Sequence, residues 1–257
     1  MCGRPVPDVA PYRRGESIAV HEGHLIRVLT YLEGSAMAEV HPRSPDLLLD
    51  LGRTMGAVDV ALEGFDHPAA SRHLYWDVRH AERTIGDRLE YIADPARREL
   101  VRETLARYPA ALSPATSRLR TAVIHNDAND HNLLVDRGGM LITGLLDFGD
   151  MVRTLVANEV AVACAYAMLD EEEPLEAARA VVRGYREAAP LPSPELSVLV
   201  DLIRIRLATS VSVAAHQHAQ RPDDPYLTVS ERQAWALLEL LDPIDPETAR
   251  TLFLEGR

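Results

Sequence analysis

From Pro45 onward the apolar residues recur every three or four positions. Leu47, Leu48, Leu51, Met55, Val58 and Leu62 fall on one face, with Asp46 near the start and Gly64 at the end, which predicts a helix. Before that stretch the period is shorter. Residues 17–20 and 25–32 are two runs of β type, and Glu22-Gly23 between them predicts a hairpin turn, while residues 1–17, rich in Pro, Gly and Arg, predict an irregular entry. Helical spacing returns over 77–92 and 95–108, the second opened by Asp94 as cap and Pro95 in the first turn. The middle of the chain differs in kind. "TAVIH" (121–125), "NLLVD" (132–136) and "MLITGLLDF" (140–148) are short apolar runs, the last two joined by Arg137-Gly138-Gly139 as a hairpin turn. Helices are then predicted over 154–170, 174–189, 194–217, 228–241 and 246–254, with the Pro/Asp-rich residues 221–226 as a loop. The pattern predicts an α+β fold that is mainly α, with a small β element in its middle.

Composition limits the function without naming it. A chain of 257 residues with 47% apolar content can bury a substantial core. No apolar run approaches the ~20 residues of a membrane span, and the first twenty residues lack the apolar core of a signal peptide, so the cytoplasm is the expected location. Cys2 and Cys164 are too few for a disulfide framework or a CxxC metal site. A net charge of -12 argues against a nucleic-acid partner, whose phosphates require clustered cations, and suits a small cationic substrate. The chain contains no lysine: all 27 basic residues are arginine, so no step can use an amine side chain.

The stretch "VIHNDANDHNLLVD" (123–136) concentrates polar residues against apolar runs. Its Asp127 and Asn132, together with Asp147 of "LLDFGD", all fall at predicted strand ends, where a small β unit can bring them to one point. Two carboxylates and an amide form a hard-oxygen site suited to magnesium and phosphate. Phosphoryl transfer needs such a set: one carboxylate to accept a hydroxyl proton, and an Asn and a second Asp to hold metal. Singly, each motif has a plainer reading, Asp147-Phe148-Gly149 as a turn and His125-x-Asp127 as a buried pair. His131 extends a possible His-x-Asp-xxx-His zinc set, but no third nitrogen or sulfur ligand stands at a suitable spacing.

Both motifs in order carry a resemblance. His125-Asn126-Asp127 with Asn132 five residues beyond the Asp, and Asp147-Phe148-Gly149 twenty beyond it, resemble the catalytic loop and metal-binding triplet of the protein-kinase-like superfamily. The variant is most similar to the aminoglycoside phosphotransferase and hydroxylysine kinase-like group, and the resemblance spans about residues 15–245. It implies a kinase-like C-lobe over 34–257 with a remnant of the N-lobe sheet and the hinge in 1–33. It implies that Asp127 is the base, with Asn129 as a neutral donor near the γ-phosphate and His125 bracing the loop. Asn132 and Asp147 would hold Mg2+. Leu134 and Leu146 would lie under the adenine of ATP, and the backbone of Thr30, Tyr31 and Leu32 would meet its edge. The implied activity is ATP-dependent phosphorylation of a hydroxyl on a small molecule, one bearing an amine if Asp150 and Glu159, or the run Glu171 to Glu173, face it; the ordinary reading of that run is a solvated helix end. Arg153 is expected in a structural ion pair, with a substrate carboxylate or phosphate as the alternative partner.

The family's N-lobe carries a glycine-rich phosphate loop and a lysine clamp, and neither pattern occurs in this sequence. Three expectations follow: a piece of a longer kinase, a non-catalytic kinase-like binding module, or an enzyme in which Arg13 or Arg14 supplies the charge.

Overall fold

The computed structural model describes residues 6–13, 15–113, 115–224 and 231–254. Cys2, Arg14 and the end of the loop and start of the helix expected within 225–230 lie outside them.

The segment read as irregular contains strand β1 (Val9–Ala10), which pairs antiparallel with β4 (Val28–Leu29). Between them β2 (Ala19–His21) and β3 (His24–Ile26) form the expected hairpin, and Glu22 and Gly23 at its turn both have positive φ, as a tight primed turn requires. After β5 (Ser35–Ala36), helix α1 (Pro45–Ala61) starts on Ser44, whose hydroxyl accepts from Leu47 N at 3.1 Å and caps it. The helix expected over 77–92 is three pieces: a 3₁₀ turn at Val78–His80, α2 (Ala81–Gly86) and a second 3₁₀ turn at Leu89–Tyr91. Asp77 caps the first through Arg79 N at 3.0 Å, and Gly86, a poor helix former, ends the α turn. Helix α3 (Pro95–Leu112) follows with Asp94 as its cap.

The β element is also two pieces. Strands β7 (Leu133–Val135) and β8 (Ile142–Leu145) form the expected hairpin, and β5 adds to β7 as a third strand. Strand β6 (Thr121–Ile124) does not join them. It pairs in full register with β9 (Val152–Leu155), residues partly assigned above to a helix. Val152 and Thr154 are β-branched and pack on the pleat, so helix α4 (Val156–Ala167) begins only where that ladder stops. The remaining helices are α5 (Pro174–Ala188), the short α6 (Ser193–Leu196), α7 (Leu199–Gln220), α8 (Glu231–Leu241) and α9 (Pro246–Leu254). No helix is long and apolar enough to cross a membrane among the described residues.

One apolar core joins α1, α4, α5 and α7 under the strands, from Leu47 and Leu51 to Val160, Val181 and Ile203. The α1–α5 contact is unusually close and uses glycine for it. A Cβ added at Gly52 would stand 2.0 Å from Val181 O, and one at Gly184 would stand 1.9 Å from Leu49 O, so the two backbones touch where any side chain would part them.

Candidate active site

Strand β6 delivers His125 into the interior, and the chain then turns sharply. Asn126 has φ 67° and is fully buried, a left-handed conformation that Asn tolerates better than most residues. The turn is held from beneath: Glu159 Oε2 of α4 accepts Asn126 N at 3.0 Å, and Asn158 Nδ2 donates to Asn126 Oδ1 at 2.7 Å. Asp127 leaves this turn with its side chain mostly buried, 17% exposed. Asn132 Nδ2 donates to Asp127 O at 3.0 Å and to Asp127 Oδ2 at 2.8 Å, and Asn129 Nδ2 donates to the same Oδ2 at 3.0 Å. Asn129 Oδ1 in turn accepts the N–H of His131 and of Asn132, closing the loop on itself.

The second motif is fastened to the first. Leu146 N donates to Asn132 O at 2.8 Å, which sets Asn132 across the hairpin from Leu146, the residue before Asp147. His125 Nε2 lies 2.9 Å from Leu146 O, and its Nδ1 accepts Asp127 N at 3.3 Å. That pattern assigns the proton to Nε2 of a neutral ring, and burial, the main influence, holds the imidazole below its usual pKa. Phe148 meets the ring edge-on at 4.8 Å between centroids. Asp147 is left-handed as well (φ 53°), and its Oδ1 accepts Gly149 N at 2.9 Å. Arg72 donates to the carbonyls of Gly149 and Met151, fixing the turn from outside.

On the other side of the hairpin, Leu134 is buried and Leu32 approaches it. A Cβ at Gly144 would stand 3.0 Å from Leu32 Cδ1 and 3.2 Å from Leu134 Cδ1, so the absent side chain leaves space that these leucines close. Leu146 is half-buried at the same end. The N–H of Thr30 is bonded to Asp8 O at 2.9 Å and its hydroxyl accepts Asp8 N, so the N–H is taken up within the sheet and not offered to an adenine edge. Tyr31 points outward, 88% exposed.

The expected substrate residues separate. Asp150 lies near the reactive groups: burial first, then the charge of Asp127, raises its carboxyl above the usual range, with Arg206 and Arg72 opposing. Glu159 cannot face a substrate as expected, because it is wholly buried and occupied by Asn126 N beneath the loop. Arg153 is paired with Asp66 at 2.8 Å. Glu171 pairs at 3.4 Å with Arg43, a buried arginine that also holds Asp130 of the loop at 3.1 Å. Glu171, Glu172 and Glu173 line a separate cavity of about 580 Å³ with Arg43, Asp46 and Arg179. Sequence reasoning missed Arg206 altogether. This residue of α7 reaches Asp127 Oδ1 with Nη2 at 2.9 Å. Its only local signal is a charge placed within an apolar helix, "LVDLIRIRLATSV".

A family model described as "Phosphotransferase enzyme family" matches residues 1–195. Hydroxylysine kinase of Mus musculus is 28% identical over 249 residues, covering 91% of this chain and 65% of that protein. The chain thus spans just under two thirds of that relative's length. Among solved structures, a microcompartment-associated aminopropanol kinase superposes with a TM-score of 0.68 at 20% identity, over 94% of this chain and 78% of that one. An amicoumacin kinase in complex with AMP-PNP, Ca2+ and amicoumacin superposes with a TM-score of 0.64 at 16% identity, over 95% and 76%. Both structural likenesses concern the fold, a protein-kinase-like phosphotransferase architecture.

Proposed function

The chain belongs to the phosphotransferase enzyme family, and from that premise we propose that it moves the terminal phosphoryl group of ATP onto a hydroxyl of a small, amine-bearing molecule. The observation that carries this reading is the pairing of Asp127 with Asn132 at 2.8 Å in a loop tied through Asn132 O to Leu146, the residue before Asp147. In the proposed reaction the substrate O–H gives its proton to the Asp127 carboxylate as its oxygen bonds to the γ-phosphorus. The bond from that phosphorus to the bridging oxygen breaks, and ADP leaves.

The donor set fits a hard divalent ion, which we take to be Mg2+. Asn132 commits its amide nitrogen to Asp127 and keeps Oδ1, and Asp147 keeps one carboxylate oxygen beyond the bond from Gly149. Among the described residues no three His, Cys, Asp or Glu side chains form a cage, and an ion completed by phosphate and water needs none. When bound, the ion neutralises charge on the phosphates. Leu32, Leu134 and Leu146 would line the adenine side, with residues 1–33 as N-lobe sheet and hinge and 34–257 as C-lobe. We assign the chain to the cytoplasm.

For the substrate, the names of the relatives, hydroxylysine kinase and aminopropanol kinase, both describe compounds with a hydroxyl and an amine. Asp150 beside the base supplies a carboxylate for the ammonium. A screen of amino alcohols, hydroxylysine and aminoglycosides with ATP and Mg2+ tests this by ADP release and by the phosphorus NMR signal of a phosphomonoester. Turnover confined to such compounds and lost in Asp127→Asn supports the reading; phosphorylation that survives Asp127→Asn defeats it.

A second reading, a binding module without turnover, rests on one observation: no lysine exists to clamp the triphosphate, and Arg13, the described candidate for its charge, is exposed in the N-terminal segment. Calorimetric nucleotide binding with no ADP formed on any compound of the screen is its signature.

A further inference from the structure

Asp127 is held from two directions, and only one of them belongs to its own loop. Asn129 and Asn132 both donate to Oδ2, whereas Oδ1 receives Arg206, 79 residues away on α7. A carboxylate offers about four lone-pair sites, two on each oxygen. The two amides occupy those of Oδ2 and the guanidinium takes one of Oδ1, so a single acceptor site remains, on the oxygen that Arg206 controls.

The arginine is itself placed by aromatic rings. Its Cζ lies 4.7 Å from the ring centre of Trp76 and 5.6 Å from that of Tyr166, and Tyr166 Oη accepts from Nη2 at 3.4 Å. The residue is 2% exposed, yet Nε and Nη1 are buried without a hydrogen-bond partner. Buried unpaired donors are costly, so hydrogen bonding alone does not dictate this position. The aromatic rings do: the cation is retained over the faces of Trp76 and Tyr166, with one nitrogen aimed at the carboxylate.

We propose that Arg206, held by Trp76 and Tyr166, is a positioning residue that selects the one Asp127 lone pair left to accept the substrate proton. The proposal rests on the reading of Asp127 as the base. It assigns no contact between Arg206 and substrate. A lysine cannot substitute, because an ammonium has neither the plane to stack nor the fixed fork.

The test has a kinetic and a spectroscopic arm. Arg206→Met and Arg206→Lys are each expected to lower kcat on the order of 100-fold, as displacement of a catalytic group by about 1 Å does, with KM for both substrates changed by less than about threefold. Guanidinium at millimolar concentration is expected to restore part of the turnover of Arg206→Ala. Normal kcat in Arg206→Met, or a loss seen only as a smaller folded fraction, overturns the role. The second arm does not need turnover. In a Trp235→Phe background Trp76 is the remaining tryptophan. Asp127→Asn should shift its emission when Arg206 is present and leave it unchanged in Arg206→Met. An emission indifferent to Asp127→Asn overturns the coupling. Absence of turnover in the unaltered chain tells against the phosphotransfer reading alone, and the fluorescence arm still decides whether Arg206 links Trp76 to Asp127.

Discussion

Glu159 Oε2, with no exposed surface, accepts the backbone N–H of Asn126 at 3.0 Å, so a helix side chain supports the left-handed residue directly before the proposed base. Burial first, and the nearby Asp59 second, push the Glu159 carboxyl well above its usual range. Glutamine is therefore its nearest mimic. Glu159→Gln should keep the fold and most turnover, whereas Glu159→Ala, which strands a buried N–H, should cost about 1–3 kcal/mol. It should also lower kcat more than KM. Denaturation midpoints and steady-state kinetics on the two variants check this, and equal behaviour would mean that the bond supports nothing.

Asp59 provides a pH signature. Its Oδ2 is 2.5 Å from the hydroxyl of Tyr185, and burial, outweighing that bond, raises the carboxyl to about 7. An unfolded chain releases this proton near pH 4. Between those values the folded chain holds a proton that the unfolded chain has lost, so the residue's contribution to stability falls as pH rises from about 4 to about 7. Asp59→Asn, which still accepts from Tyr185, should therefore gain in Tm relative to the parent as pH rises through that window. Scanning calorimetry at pH 5, 6, 7 and 8 would show a widening difference that levels off; a constant one contradicts the raised carboxyl.

Arg43 holds Asp130 and Glu171 at once, at 3.1 and 3.4 Å, and its side chain is fully buried. Arg43→Met leaves two poorly solvated carboxylates facing a thioether. Loss of one partner from a buried ion group costs about 3–5 kcal/mol, and that is the expected fall in urea-unfolding stability. Because Asp130 belongs to the same loop as Asn129 and Asn132, turnover should fall with it.

Gly184→Ala tests the helix contact. Its Cβ would stand 1.9 Å from Leu49 O, an atom of the opposing backbone that cannot rotate away. Overpacking at such a point costs about 3 kcal/mol, which for a chain of this size is a drop in Tm on the order of 10 °C. Gly86→Ala, where the added carbon meets nothing within 4 Å, is the control and should change Tm little or raise it.

What the sequence disclosed and what it withheld divide along one line, the distance over which a residue acts. His125, Asp127, Asn132 and Asp147 could be read because their spacing is local: two strand ends and a hairpin bring them together. The helix at 45–61 was legible for the same reason, since one apolar face repeats within it. Arg206 was hidden because its partner is 79 residues away and nothing near it announces the meeting. Thr154 and Leu155, the end of strand β9, read as the start of the helix after it because a four-residue strand cannot show a period against a longer helical run. Glu159 looked like a substrate residue because an acid near a catalytic motif invites that role; only three dimensions show the helix carrying it under the loop. Gly52 and Gly184 gave no sign of their purpose, since a helical glycine reads as a weakness until the neighbouring backbone is known.

Strand β7 has a consequence that concerns length. Leu134, on the proposed adenine side, and Asn132, on the proposed phosphate side, are two positions apart on one stretch of chain, a separation of about 7 Å along the strand. Strand β8 pairs with Leu133 and Leu134, and Leu146 N donates to Asn132 O at 2.8 Å, so the interval is held along its length. On the proposed reading β7 is a ruler laid along the phosphoryl donor: it gauges the interval from base to phosphate before any lobe closes, and a donor with altered spacing between the two should be rejected even where each end fits.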